Sequence, residues 1–188
     1  TAYGVAVSGN YLYVADGASG FKIIDISTPL SPILTGVLYN LLGHAWEVAV
    51  SGDYAYVAGG QAGLQIIDIS TPSSPSLVGT WGTSGSINAV AVSGDYAYVG
   101  DYNRGFRAIN ISTPHIPRLK RTLDTDGVAW GVAVSGNYAY MADREAGLQI
   151  INIRNPLSAS LVETLDTSGW AVGVAVSGDY AYVADGDS

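Results

Sequence analysis

The sequence contains no cysteine. A disulfide framework and a thiolate metal site are therefore excluded, although the absence of cysteine does not by itself select a cellular compartment. Cations are also scarce, since the 188 residues include 8 Lys and Arg against 16 Asp and Glu. We expect no nucleic-acid partner, because neutralising a phosphate backbone takes clustered cations. The net charge of −8 likewise disfavours an anionic membrane surface.

Long apolar runs are missing as well. No segment approaches the roughly 20 residues of a membrane-spanning helix, so we expect no membrane insertion. The chain starts at Thr1 without a Met and without a signal-peptide pattern, which indicates a mature protein or an excised piece whose targeting segment would lie outside this sequence. No segment has a sustained helical period, whereas 24 glycines suit an all-β protein with many turns.

One pattern, VAVSGNYLYVADG in its first copy, recurs along the whole chain. Its copies start at Val5, Val48, Val90, Val132 and Val174, so the first spacing is 43 residues and the next three are 42. A fixed period of this size is the sequence signature of a repeat architecture. The repeat therefore has to be interpreted before any single residue is considered as a site.

Each repeat reads as four antiparallel strands. In the first copy Val5 to Val14 alternates as a hairpin, with Ser8 to Asn10 as its tight turn. A third strand runs from Phe21 to Ile26 and ends before Pro29, which cannot donate to a sheet. The more variable segment from Ile33 to Tyr39 predicts a fourth, partly solvated edge strand.

Radial stacking of such sheets predicts the fold class: an all-β β-propeller of four-stranded antiparallel blades, about 42 residues each. We place the blades at residues 1–40, 41–83, 84–125 and 126–167, with a half blade at 168–188, within one propeller domain or fragment. Three arrangements fit this count: an arc of a longer propeller, which we favour, a larger ring built from several copies, or a closed four-bladed ring with the last hairpin displaced. Uncovered end faces would favour self-association.

The elements VAVSGNYLYVADG, GFKIIDISTP and SPSLVGT resemble the LVIVD-repeat family of β-propellers over essentially the whole chain. Arg154 and Asn155 depart from its Ser-Thr-Pro element, and Gly59 replaces its usual Asp. The resemblance implies a bacterial or archaeal protein that is secreted or on the cell surface. It implies no reaction that can be mapped onto individual residues.

Candidate binding residues lie where the chain enters the first strand of each blade, because these loops share one rim of a propeller. Tyr3, Trp46 and Trp130 hold the same repeat position, and Trp170 lies two positions earlier in its own repeat. Aromatic side chains there could form a platform for a glycan or a peptide. The alternative is that they fill space between blades, since period two puts them on the face of the repeated valines.

Two further residues break the repeat at this rim, His44 and Glu47. They could act as an acid/base pair, which would make the protein a lyase or hydrolase. An aspartate that recurs in most blades (Asp16, Asp101, Asp143 and Asp185) is interpreted as structural, because a site usually breaks the symmetry of the repeats. We therefore predict no catalytic set, no metal site and no cofactor.

The composition and the repeat together favour a non-enzymatic binding or structural module of an extracellular protein, with a protein or glycan ligand at this rim. The candidate binding residues are Tyr3, His44, Trp46, Glu47, Trp130 and Trp170. The alternatives are the lyase or hydrolase, and an assembly element that completes a propeller with another copy.

Overall fold

The computed structural model describes residues 1–39 and 41–187. Within these ranges the strands are β1 Gly4–Ser8, β2 Tyr11–Ala15, β3 Phe21–Asp25, β4 Ile33–Leu38, β5 Glu47–Ser51, β6 Tyr54–Ala58, β7 Leu64–Asp68, β8 Ser76–Trp81, β9 Ile87–Ser93, β10 Tyr96–Asp101, β11 Phe106–Asn110, β12 Arg118–Leu123, β13 Gly131–Ser135, β14 Tyr138–Ala142, β15 Leu148–Asn152, β16 Ser160–Leu165, β17 Trp170–Ser177 and β18 Tyr180–Gly186. One 3₁₀ turn, Pro156–Ser158, follows Asn155, whose side chain accepts a hydrogen bond from the Leu157 amide. In the described ranges no helix is long and apolar enough to cross a membrane.

Four four-stranded antiparallel sheets follow one another along the chain, each with its strands in sequence order, and β17 and β18 form a two-stranded fifth sheet. This confirms the predicted fold class, four full blades and a half blade. The first hairpin shows the local reason, because Val5 pairs with Val14 across a turn in which Gly9 has a φ of +56°. A side chain with a Cβ adopts that left-handed conformation only at a cost.

Neighbouring sheets pack through alternate side chains of their strands. Tyr13, Phe21 and Ile23 of the first sheet lie in one apolar cluster with Val57 and Ile67 of the second. The same arrangement recurs between the second and third sheets and between the third and fourth. Since the side-chain period of a strand is two, each sheet has one face for the preceding sheet and one for the following sheet.

The two end faces are open in the described structure. Val5 and Val7 of β1 are 61% and 63% exposed, and Tyr182 of β18 is 59% exposed. Tyr98, which holds the position of Tyr182 in the third sheet, is 2% exposed. Self-association through these faces stays a prediction, which light scattering at several protein concentrations would test and a strict monomer would contradict.

Backbone bridges join each sheet to the next at one end of the fold, which we call the rim. The bridged pairs are Gly17 with Ala45, Gly60 with Ile87, Tyr102 with Ala129, and Arg144 with Ala171. In the last pair the Arg144 amide donates to the Ala171 carbonyl at 3.0 Å, and the Ala171 amide donates back at 3.2 Å. The bridges set the spacing of the loops that carry the candidate site.

Candidate ligand-binding rim

The first strand of every sheet lies around a common inner cavity of about 330 Å³. Residues of one repeat position form a ring there: Tyr3, Trp46, Asn88, Trp130 and Val172. Glu47, one residue further along β5, also lines this cavity. The structure therefore places the repeated VAVSG strands at the centre of the molecule.

A larger cavity of about 780 Å³ opens on the rim, and we call it the rim cup. Its lining includes Trp46, Gln61, Asn88, Tyr102, Arg104 and Trp130. Of the four aromatic residues named from the sequence, Trp46 and Trp130 meet in this cup, with Asn88 between them in the repeat order. Tyr3 lines the inner cavity instead, and Trp170 lines neither.

Trp46 is both a packing residue and a wall of the rim cup. Its ring lies 4.6 Å from that of Tyr3 and 6.0 Å from that of His44. A Cβ on Gly60 would come within 3.0 Å of the Trp46 Nε1, so the close approach of this side chain depends on the glycine. The two interpretations of the aromatic residues are therefore compatible, because Trp46 packs on neighbouring rings and also lines the cup.

Trp130 and Trp170 both contact the same arginine side chain. The Arg144 guanidinium lies 4.6 Å from the Trp130 ring centre and 4.7 Å from that of Trp170. Trp170, two positions earlier in its repeat than Trp46 and Trp130, begins β17 and pairs with Gly186, with a register shift after Ala171. It is 37% exposed. The sequence pattern does not single out Arg144, because the alternation of the strands gives no sign of contacts between loops of different repeats.

His44 and Glu47 are not brought into one site. The Glu47 Oε2 accepts a hydrogen bond of 2.7 Å from the Val90 amide, which links the second and third sheets. Burial raises the pKa of Glu47 to about 7, and the Val90 amide only partly offsets this. His44 lines a separate cavity of about 310 Å³ with Gly60 and Ser86 and stacks on Trp46.

The recurring aspartates hold the loops that lead into the inner strands. Asp101, Asp143 and Asp185 accept hydrogen bonds from the hydroxyls of Thr83, Thr125 and Thr167, at 2.8, 3.1 and 2.8 Å. In the second sheet, where Gly59 replaces the aspartate, the Gln65 side chain bonds the Leu42 backbone instead. We call the contact between the recurring aspartate and the threonine hydroxyl the aspartate clamp. Among the described residues no group of acidic residues and histidines could hold a metal ion.

The clamp carries different charges in different sheets. The Arg107 Nε lies 3.4 Å from the Asp101 carboxylate, and both side chains are buried. Asp143 has Gln149 in the corresponding position, and this glutamine bonds Thr164 and the Ala146 carbonyl. Burial raises the pKa of Asp143 to about 6, and the nearby Asp126 and Glu145 also raise it, although the Thr125 hydroxyl and the Gly127 amide act in the opposite direction.

A family model described as the LVIVD repeat matches the chain at residues 1–39, 42–83, 84–125, 126–167 and 168–188. The search of curated proteins gives no match.

Solved structures show the same fold at low identity. The computationally designed Ika8 protein is 13% identical with a TM-score of 0.79, over 98% of this chain and 55% of that one. The computationally designed Ika4 protein is 15% identical with a TM-score of 0.63, over 81% and 91%. A structural genomics protein of unknown function from Bacteroides thetaiotaomicron is 17% identical with a TM-score of 0.63, over 85% and 42%. The chain thus spans little more than half of the Ika8 protein and less than half of the bacterial one.

Proposed function

Because the chain belongs to the LVIVD repeat family, we propose that it is a non-enzymatic binding module of an extracellular or cell-surface protein and holds its ligand in the rim cup. The observation that carries this proposal is the meeting of Trp46 and Trp130 in one open cavity with Asn88 between them. Binding sites combine apolar surface with a few fixed polar groups in this way.

A glycan suits the rim cup better than a peptide. The indoles of Trp46 and Trp130 and the phenol of Tyr102 supply flat apolar faces, against which the C–H face of a sugar ring packs. Gln61 and Asn88 each supply an amide donor and acceptor at the edges of the cup, and these match the hydroxyls of a sugar. The open cup leaves room for an oligosaccharide of several residues.

The placement of His44 and Glu47 favours binding over catalysis. A general acid and a general base have to reach the same reacting group, directly or through one water. These two side chains line different cavities, and the Glu47 carboxylate bonds a backbone amide of β9. This placement supports the binding proposal over the lyase or hydrolase alternative, which depends on these two residues.

The proposal is tested by titrating soluble oligosaccharides of four to six residues into the wild-type protein and into Trp46→Ala and Trp130→Ala. Each substitution removes one wall of the rim cup, and we expect affinity to fall at least tenfold, because stacked aromatic residues dominate such sites. Trp81→Phe is the matched control, since Trp81 ends β8 and does not line the cup. Circular dichroism confirms that each variant is folded.

Unchanged affinity in both Ala variants would show that the ligand lies elsewhere. Binding of peptides but of no oligosaccharide would keep a binding module and overturn the choice of a glycan.

A further inference from the structure

Arg144 is held between two indoles. Its guanidinium lies 4.6 Å from the Trp130 ring centre and 4.7 Å from the Trp170 ring centre. Cation–π contacts on both faces fix the plane of the group and leave only its edge for hydrogen bonds. The sandwich thus presents a guanidinium edge in one orientation, without the loss of side-chain freedom that a flexible arginine would incur on binding.

That edge has no acceptor in the fold. Arg107 and Arg121 donate to oxygen atoms of the protein, whereas no oxygen of residues 1–39 and 41–187 accepts from the Arg144 side chain. Its Nε is buried, whereas its terminal Nη groups are neither buried nor bonded to a described residue, and the ion pairs of the described residues do not include Arg144. The donors that a ligand can reach are therefore the two Nη groups, which can pair with a carboxylate side by side.

The backbone at this position is also unfavourable for arginine. Arg144 has a φ of +42°, and the same repeat position is Gly17 and Gly60 in the first two sheets. Glycine adopts this conformation freely, whereas other residues are strained by it. Tyr102 holds the same repeat position in the third sheet, has a φ of +40° and lines the rim cup. Strain of this kind concentrates at functional sites.

We propose that the edge of Arg144 binds the carboxylate of an acidic sugar, a uronic acid residue of a glycan. The inference rests on the proposed glycan-binding function and extends it. The fork of N–H donors matches a planar carboxylate in a bidentate pair. Trp130 lines the rim cup and also contacts the Arg144 guanidinium, so Arg144 lies next to the cup. Arg104 adds a second cation in the cup wall of a protein whose net charge is −8.

The test compares tetragalacturonate with the neutral tetrasaccharide obtained by reducing its carboxyl groups. Calorimetry at low ionic strength measures both ligands against the wild-type protein, Arg144→Gln and Arg144→Lys. We expect the wild type to prefer the acidic ligand at least tenfold and Arg144→Gln to lose that preference. The readout is the ratio of the two affinities, because loss of the Arg144–Trp130 contact would affect both ligands alike. Arg144→Lys keeps the charge without the planar fork, so we expect it to recover only part of the preference.

Arg154→Gln is the matched control, because it removes the same charge from an exposed loop at the opposite end of the fold. It should keep the full preference. A second readout on the wild type needs no substitution: in NMR spectra, the Arg144 guanidinium signals and the Trp170 indole N–H should shift with the acidic ligand and not with the neutral one.

Equal affinity for the two ligands, or a preference that survives in Arg144→Gln, would overturn the role of Arg144 and leave the rim cup as a neutral-sugar site. If Arg144→Gln loses binding of the acidic ligand and Trp46→Ala keeps it, the role of Arg144 would be supported. The proposal that the ligand lies in the rim cup would be contradicted. Failure of both ligands to bind the wild type would overturn the uronate proposal.

Discussion

The third and fourth sheets contain the same aspartate clamp but differ in how its charge is balanced. Asp101 lies beside the buried Arg107, whereas the fourth sheet has the neutral Gln149 in the position of Arg107. Burial raises the pKa of Asp143 to about 6, and the nearby charges of Asp126 and Glu145 also raise it. The comparison shows that the repeat preserves the geometry of the loop contact, while the charge at the contact is set separately in each sheet.

The largest effect is expected when the cation beside the Asp101 carboxylate is replaced by a neutral glutamine. Arg107→Gln should lower the free energy of unfolding by about 3 kcal/mol at pH 7, because removal of one partner leaves a buried carboxylate without its counter-charge. Urea denaturation measures the loss. Arg118→Gln, which changes an exposed arginine of β12, should stay within about 0.5 kcal/mol of the wild type. Equal losses in the two variants would show that the Asp101–Arg107 pair contributes nothing specific.

Glu47 is a second carboxyl for which the described residues supply no ion-pair partner, and it allows a test by pH. Its pKa is raised to about 7, so the folded state binds a proton more tightly than the unfolded chain, and stability falls as pH rises from about 4.5 to 7. Glu47→Gln keeps an oxygen for the Val90 amide and should raise the free energy of unfolding by about 2 kcal/mol at pH 8, with little change at pH 4.

The measurement is urea denaturation of both proteins across pH 4 to 8. A variant that is less stable than the wild type at every pH would contradict the unfavourable burial of the Glu47 charge.

The smallest effect is the reverse exchange in the fourth sheet. Gln149→Arg places a guanidinium beside Asp143, as Arg107 stands beside Asp101, and should stabilise the protein by about 1 kcal/mol at pH 7 after the loss of the glutamine's own hydrogen bonds. The Asp143 pKa, followed by NMR, should fall from about 6 towards its ordinary value. A pKa that stays near 6 would mean that the arginine does not reach the carboxylate.

The strand order and the rim were predictable because both follow from the period. Alternating residues and turn glycines recur in every copy, so Val5 to Val14 alone specifies a hairpin. The contacts of the site were not predictable in the same way. Arg144 holds a position that is glycine in two other sheets, and Trp170 lies two residues before its expected position, so a comparison of repeats does not bring them together. Contacts between loops of different repeats depend on packing that no period encodes.

The backbone bridges at the rim have a consequence for how such a protein can change. Because each bridge is made by main-chain N–H and C=O groups, glycine, tyrosine and arginine all occupy the bridging position without breaking the bridge. The bridge does not depend on which side chain stands at this position. The side chain can therefore be exchanged without disturbing the fold, within the limit set by backbone strain. Substitutions at the bridging position of one blade can therefore change which ligand the rim binds while the other blades stay as they are.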